Sequence, residues 1–159
     1  GHGCSLTAVR DGASVETTMG FTPLGGLVMS TRSGDLDPGV LLHLLRQPGM
    51  DVGQLNRLLN QESGLLGLSG LSGDMKALLA SPVPRAQFAV EVFVYSARKH
   101  LGAMTAVLGG LDLLVFTGGI GEHAAALRER ISAGLAECVR ALPAQEELML
   151  ARHAATALG

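Results

Sequence analysis

The sequence has no tryptophan, one tyrosine and only two cysteines, Cys4 and Cys138. The cysteines stand far apart and form no CxxC or Cys/His spacing. That excludes a structural zinc site and leaves two reduced thiols as the expectation. No block of basic residues is present: 12 Lys and Arg stand against 14 Asp and Glu, for a formal net charge of −2. The usual electrostatic basis for binding nucleic acid or an anionic membrane surface is therefore missing. No apolar run reaches the roughly 18 uninterrupted residues of a membrane span, and no signal-peptide pattern is seen. Internal repeats and low-complexity linkers are absent too. A chain of 159 residues with 47% hydrophobic side chains is expected to fold as one cytoplasmic domain with a real core.

Glycine is what the chain has in excess, with 22 residues. A glycine surplus without low complexity points to many tight backbone turns, a common way to hold phosphate. Ser5–Arg10 and Ala13–Thr18 read as strands around Asp11-Gly12, the signal of a type I′ hairpin. A long Gly-, Thr- and Ser-rich loop follows, and loops of that length tend to carry function. Asp37-Pro38 opens a helix with Val40, Leu41, Leu44 and Leu45 as its apolar stripe, ended by Pro48-Gly49. A second helix starts near Asp51, with Leu55, Leu58 and Leu59 on one face. GLLGLSGLSGDMKALLA has glycine at every third position and reads as a loop leading into a short helix at Asp74. Residues 85–108 have helical spacing through Phe88, Val92, Tyr95, Ala97, Leu101 and Met104. Leu113–Phe116 reads as a buried strand of the parallel type. A helix is expected over Ala124–Arg140, broken by Pro143, and a last one over Gln145–Leu158. This order is that of an α/β domain with a small or incomplete sheet.

Three turns could hold a ligand. In GHGCS, Gly1 and Gly3 let the backbone approach a phosphate, or they form a plain hairpin turn. In TRSGD, Arg32 between hydroxyl residues offers a planar fork to a carboxylate or phosphate, or is a solvated surface cation. Asp35 and Asp37 could hold Arg32 or cap the next helix. In TGGIGEH, Gly118, Gly119 and Gly121 lie between a strand and a helix beginning near Ala124, where the positive helix end could meet an anion. Gly119-x-Gly121-x-x-Ala124 fits a dinucleotide fingerprint. That reading needs a following strand ending in an acid about 20 residues on. A helix and then Pro143 are expected there, so NAD binding is rejected. No Walker-type GxxxxGK[ST] loop is present. The residues alone thus favour a nucleotide or phosphoryl-handling site.

TTMGFTPLGGLVMSTRSGDLDPG (residues 17–39), LDLLVFTGGIGEHAAALRERI (111–131) and QEELMLARH (145–153) resemble, in order, the landmarks of the acetate and propionate kinase family. The resemblance implies an actin-like, ribonuclease H-like fold of the acetate and sugar kinase superfamily. It makes residues 1–159 the C-terminal, nucleotide-binding domain, truncated and without the N-terminal domain. The implied reaction transfers the γ-phosphoryl of ATP to acetate with Mg²⁺, giving acetyl phosphate and ADP. By motif, Gly1, His2 and Gly3 lie against the ATP phosphates, with His2 where the family has Asn. Arg32 is the catalytic arginine. Asp74, Met75 and Lys76 form the adenine-side segment, which more often ends in Arg. Gly119, Ile120, Gly121, Glu122 and His123 cradle adenosine, with His123 in place of Asn. Glu146 helps to bind Mg²⁺. By themselves His2 and His123 also read as polar fillers, Lys76 as a solvated cation, and Glu146 and Glu147 as surface acids.

The family implies small-molecule partners, ATP and a short-chain carboxylate, and a homodimer formed through this domain. It also carries a longer segment between Cys138 and Glu146, where this chain is expected to pass almost directly from helix to helix. The implied function is an acetate kinase fragment inactive by itself. The alternative is a non-catalytic nucleotide-binding remnant acting through a partner chain.

Overall fold

A computed structural model describes residues 3–158, so Gly1 and His2 lie outside the described residues. The described chain begins with the expected hairpin. β1 (Thr7–Arg10) and β2 (Ala13–Thr17) pair antiparallel, with Arg10 opposite Ala13. Asp11 (φ 52°) and Gly12 (φ 79°) are both left-handed, as a type I′ turn requires. A bulge between Ala8 and Val9 shifts the register. Beyond the strands, Thr18 N–H donates to Leu6 O at 3.0 Å and Leu6 N–H to Thr18 Oγ1 at 3.0 Å.

α1 (Pro38–Leu45) starts where expected, because the Asp37 carboxylate accepts from Gly39 N–H at 2.7 Å. Its stripe, however, is only half covered: Leu41 and Leu44 are half-buried, Val40 (43%) and Leu45 (38%) are exposed, and no α1 residue is fully buried. α2 (Val52–Arg57) is closed at its start by a capping box between Asp51 and Gln54, and it buries Leu55. It then widens into a π-helical turn, Leu58–Glu62. α3 (Gly64–Ser69) follows where a loop was expected. The three-residue glycine spacing belongs to close approach of helix and loop. A Cβ at Gly64 would meet Met29 O, one at Gly67 would lie 2.7 Å from Glu62 O, and one at Gly73 would meet the Ser30 hydroxyl. α4 (Met75–Ala80) is capped by Asp74, whose carboxylate accepts from Lys76 N–H at 3.0 Å.

α5 (Pro84–Leu108) is the helix on which the rest assembles. At 25 residues it is roughly 37 Å long, and β1, α3 and α4 pack against it. Its buried face is Ala86, Ala89, Val90, Phe93, Val94, Ala97, Leu101 and Met104. The expected stripe is only partly right, because Phe88 (56%) and Tyr95 (72%) point outward. The alanines define the seam, since small side chains let neighbouring elements come close. Leu27, Leu65, Met75 and Leu78 complete this side of the core.

β3 (Leu114–Phe116) pairs parallel with β4 (Val139–Ala141), Leu114 facing Val139. The parallel arrangement was expected. Full burial was not found: Leu113 and Val115 are exposed. Between the strands run α6 (Gly118–His123) and α7 (Ala125–Ser132), and α7 packs Leu127 and Ile131 onto α5. The single helix expected over Ala124–Arg140 is therefore corrected. It stops at Ser132, Gly134 turns with φ 70°, and β4 follows. The two strand pairs form two separate small sheets. α8 (Glu146–Leu158) buries no residue.

Arginines close three helices at their carbonyl ends. Arg10 donates to Val107 O and Leu108 O of α5. Arg128 donates to Gly121 O and Glu122 O of α6. Arg98 Nη1 reaches Arg130 O, Ile131 O and Ala133 O, at 2.8–3.1 Å. Arg98→Ala should lower stability by about 1–3 kcal/mol, since partly buried carbonyls lose a charged donor. Urea unfolding checks this, and an unchanged midpoint would contradict it.

Candidate functional site

The loop between β2 and α1 is held by glycines that no other residue could replace without movement. Gly26 (φ 86°) lies under Thr18, where a Cβ would come within 2.5 Å of Thr18 O. Gly34 (φ 72°) lies under Leu27, with 2.6 Å left to Leu27 O. Asp35 ties the loop from outside: Oδ1 accepts from Gly26 N–H at 2.7 Å and Oδ2 lies 3.4 Å from His100 Nε2. Asp37 caps α1. The two acids thus shape the loop and the helix, and neither pairs with Arg32.

Arg32 is half-buried, with Nη1 donating to Pro23 O at 3.2 Å and lying 3.8 Å from Met29 Sδ. A guanidinium carries five N–H donors, so most of its donors are open to solvent or ligand. Its nearest turn is the first one: a Cβ built on Gly3 would lie 3.2 Å from Arg32 Nη1. Gly3 therefore keeps its main chain against the guanidinium. Asp74–Lys76 begins beside the same loop, because Ser30 Oγ donates to Gly73 O at 2.9 Å. Within that segment, Asp74 is occupied as a helix cap, Met75 is 3% exposed in the core, and Lys76 points to solvent. The Met75 side chain is accordingly a packing group, which leaves only its main chain for a ligand.

The glycine turn after β3 forms a second cluster. Gly118 needs its φ of 74°. Gly121 packs the helix on the strand, with 3.3 Å from a built Cβ to Phe116. Gly119 has neither reason, since nothing lies within 4 Å of its Cβ position. Ile120 leans on the core and His123 is exposed. The helix begins at the glycines themselves, ahead of the expected start near Ala124. Glu122 Oε1 accepts from Gly118 N–H at 2.8 Å and from Ala144 N–H at 3.0 Å. This carboxylate caps its own helix and straps the segment before α8 to the turn. Glu146, exposed in the first turn of α8, sits two residues beyond that strap.

The fingerprint reading of this turn needs one correction. A strand does follow, β4, but it runs into Leu142 and Pro143 with no acid at its end. The acceptor for a ribose hydroxyl is still missing, so NAD binding stays rejected on that ground. Two shallow concavities, of about 260 and 230 Å³, lie elsewhere. One is bounded by Gln47, Met50, Arg57 and Glu62, the other by Leu24, Ser33, Asp35 and Leu41. Neither joins Arg32 to Gly119–His123.

Both cysteines are free. Burial pushes the Cys4 thiol above its ordinary range, which weakens it as a nucleophile at neutral pH. Alkylation by iodoacetamide at pH 8 should be markedly slower at Cys4 than in the urea-unfolded chain. Equal rates would contradict its burial. The neutral thiol is the favoured folded form, so its contribution is intact below the unfolded thiol pKa of about 8.5. It is lost as pH rises through the raised folded value.

A family model described as the acetokinase family matches residues 1–153. The chain is 46% identical over 179 aligned residues to an acetate kinase of Rhodopseudomonas palustris, covering 96% of this chain and 45% of the relative. An acetate kinase of Thermosynechococcus vestitus is 54% identical over 138 residues, 85% of this chain and 33% of the relative. Among solved structures, Porphyromonas gingivalis acetate kinase superimposes with a TM-score of 0.92 at 32% identity, covering 99% of this chain and 47% of that one. A propionate kinase from Francisella tularensis gives 0.88 at 36% identity, 95% and 46%. The chain thus spans between a third and just under half of the length of these relatives. The alignment of 179 positions exceeds the 159 residues present, so the R. palustris protein has residues that this chain lacks. The architecture is the actin-like α/β fold of these kinases with an incomplete sheet, and the chain belongs to the acetokinase family.

Proposed function

We propose that this chain is the C-terminal, nucleotide-binding domain of a short-chain carboxylate kinase, which transfers the γ-phosphoryl of ATP to acetate. The observation that carries the reading is Arg32, held at the end of a clamped loop with donors to spare beside the Gly3 main chain. The transferring phosphoryl passes through a loose transition state with charge spread over three equatorial oxygens. A planar guanidinium answers that charge with paired N–H donors, and the loop fixes it before substrate arrives, which is where electrostatic catalysis gains most. Gly3 lets the phosphate tail approach the backbone. Gly119 does the same for the nucleoside, since it has no packing reason to be glycine.

Mg²⁺ fits the donors available. Among the described residues no group of three or more His, Cys, Asp or Glu gathers to hold a metal. A magnesium ion needs only one or two carboxylates when phosphates and waters supply the rest. Glu146 would be that carboxylate, and the ion would neutralise charge on the phosphates. Acetate and propionate kinases both appear among the similar proteins, and acetate is the acceptor we assign.

Calorimetric titration with Mg-ATP and a coupled assay for acetyl phosphate test this reading. Saturable nucleotide binding is expected, with little or no turnover by the chain alone, because positioning dominates phosphoryl transfer. Appreciable turnover would contradict the reading of this chain as a fragment whose positioning is completed by residues outside it. Gly119→Ala separates ligand from fold. Stability should stay within about 0.5 kcal/mol, while Mg-ATP affinity falls severalfold. Unchanged affinity would remove Gly119 from the nucleotide site.

A further inference from the structure

Two helix ends face the Arg32 loop, and they exchange hydrogen bonds with it. At the end of the π-helical turn, Leu59 O and Asn60 O point away from the helix. Leu59 O accepts from Ser33 N–H at 3.0 Å and Asn60 O from the Thr31 hydroxyl at 2.8 Å. At the start of α3 the donors run the other way. Ser63 N–H reaches Thr31 O at 3.0 Å, Leu65 N–H reaches Met29 O at 2.8 Å and Leu66 N–H reaches Ser30 O at 3.0 Å. Helix ends leave such groups without partners unless something else supplies them. Here residues 29–33 supply both ends at once. Ser63 Oγ takes up one more carbonyl, Leu58 O, at 2.6 Å.

We propose that Thr31, seated on Asn60 O at the π-helical corner, is a positioning residue for Arg32. The inference rests on the reading that Arg32 contacts the transferring phosphoryl. The loop is fixed on both sides of Arg32 by this corner, and within the loop Met29 N–H adds a bond to Arg32 O at 3.2 Å. Nearly all of these bonds are main chain to main chain. The Thr31 hydroxyl reaches the corner through a side chain, so it can be removed without altering the backbone. Its loss leaves Asn60 O without that donor and lets the guanidinium swing.

The test compares Thr31→Val, Thr31→Ser and Arg32→Ala in this chain by titration with Mg-ATP and, separately, Mg-ADP. Arg32 addresses the terminal phosphoryl, so its loss should weaken Mg-ATP by at least tenfold and leave Mg-ADP unchanged. Thr31→Val should reproduce about half or more of that loss on a logarithmic scale, again sparing Mg-ADP, and Thr31→Ser should restore binding. In the ¹H–¹⁵N spectrum the Arg32 Nε–H signal should be dispersed in the parent and the Ser variant and averaged in the Val variant. If Arg32→Ala leaves Mg-ATP affinity unchanged, the phosphoryl role of Arg32 fails. If Arg32→Ala weakens Mg-ATP but Thr31→Val does not, the positioning role of Thr31 fails while that of Arg32 stands. Equal loss of both nucleotides in Thr31→Val, with no rescue by Ser, would mark Thr31 as merely structural and overturn the proposal.

Discussion

Replacing Arg32 with Ala should slow phosphoryl transfer by about 10²–10³-fold in any assembly where this chain completes an active site. The size follows from where the charge appears. An Arg that meets the equatorial oxygens acts more strongly in the transition state than in the ground state, so its loss slows turnover in addition to weakening Mg-ATP binding. Two features of the structure make the effect large. No carboxylate among the described residues neutralises the guanidinium, and the loop that carries it is bonded on both sides. Arg32→Lys should recover only part of the loss, because an ammonium is a point charge and cannot present a fork. A coupled assay for ADP release, with acetate varied, reads both variants. A rate for Arg32→Ala within threefold of the parent would take Arg32 out of the chemistry.

Gly64→Ala should be the most damaging single methyl in the described chain. Gly64 sits at φ 61°, and a Cβ there would meet Met29 O, with Arg32 O at 2.7 Å and Arg32 N at 3.1 Å. All three neighbours are backbone atoms, so none can rotate aside. The left-handed conformation costs an L-residue about 1–2 kcal/mol, and forced displacement of a packed neighbour adds about 1–3 kcal/mol. A melting temperature lower by roughly 5–15 °C is expected for a domain of this size. Two of the three displaced atoms belong to Arg32, so the variant should also lose its preference for Mg-ATP over Mg-ADP. Thermal unfolding that matches the parent would refute the packing described for this corner. Gly12 makes a useful contrast: φ is 79° but nothing lies within 4 Å of its Cβ position. Gly12→Ala should therefore carry only the conformational cost.

The elements that sequence reasoning found are those set by chemistry within a few residues. Asp11-Gly12 specified its turn, Asp37 and Asp74 their helix starts, and the helical spacing over residues 85–108 the span of α5. The elements it missed depend on what lies across the fold. α3 was read as a loop because glycine at every third position looks like irregular chain. In the structure Gly64 opens that helix against the carbonyls of Met29 and Arg32, and Gly70 ends it in the left-handed conformation. The buried face of α5 was misjudged because its large side chains drew the stripe toward Phe88 and Tyr95, whereas Ala86, Ala89 and Ala97 carry the contact. β4 has three residues, too few to show a period. Gly134, at φ 70°, was the one local sign that α7 had ended.

The candidate site divides in the same way. Gly3 and Arg32, named from two separate motifs, lie side by side, with 3.2 Å from a built Gly3 Cβ to Arg32 Nη1. The Thr31 seat was not legible, because its acceptor is a main-chain carbonyl 29 residues away, and a carbonyl has no sequence signature. Glu122 was picked out as a nucleotide contact, and nothing in its type foretold that two backbone amides would share one of its oxygens. The half-covered face of α1 and the uncovered one of α8 were likewise beyond reach, since an apolar stripe reads the same whether or not it is covered.

A crystal structure of this chain with Mg²⁺ and a non-hydrolysable ATP analogue would test the central claim most directly. The account predicts the terminal phosphate within hydrogen-bond distance, about 3 Å, of the Arg32 guanidinium. It also predicts the tail passing over Gly3, the nucleoside against Gly119 and Glu146 oxygen near the metal. A nucleotide bound elsewhere, or bound at Gly119 with its terminal phosphate out of reach of Arg32, would contradict it.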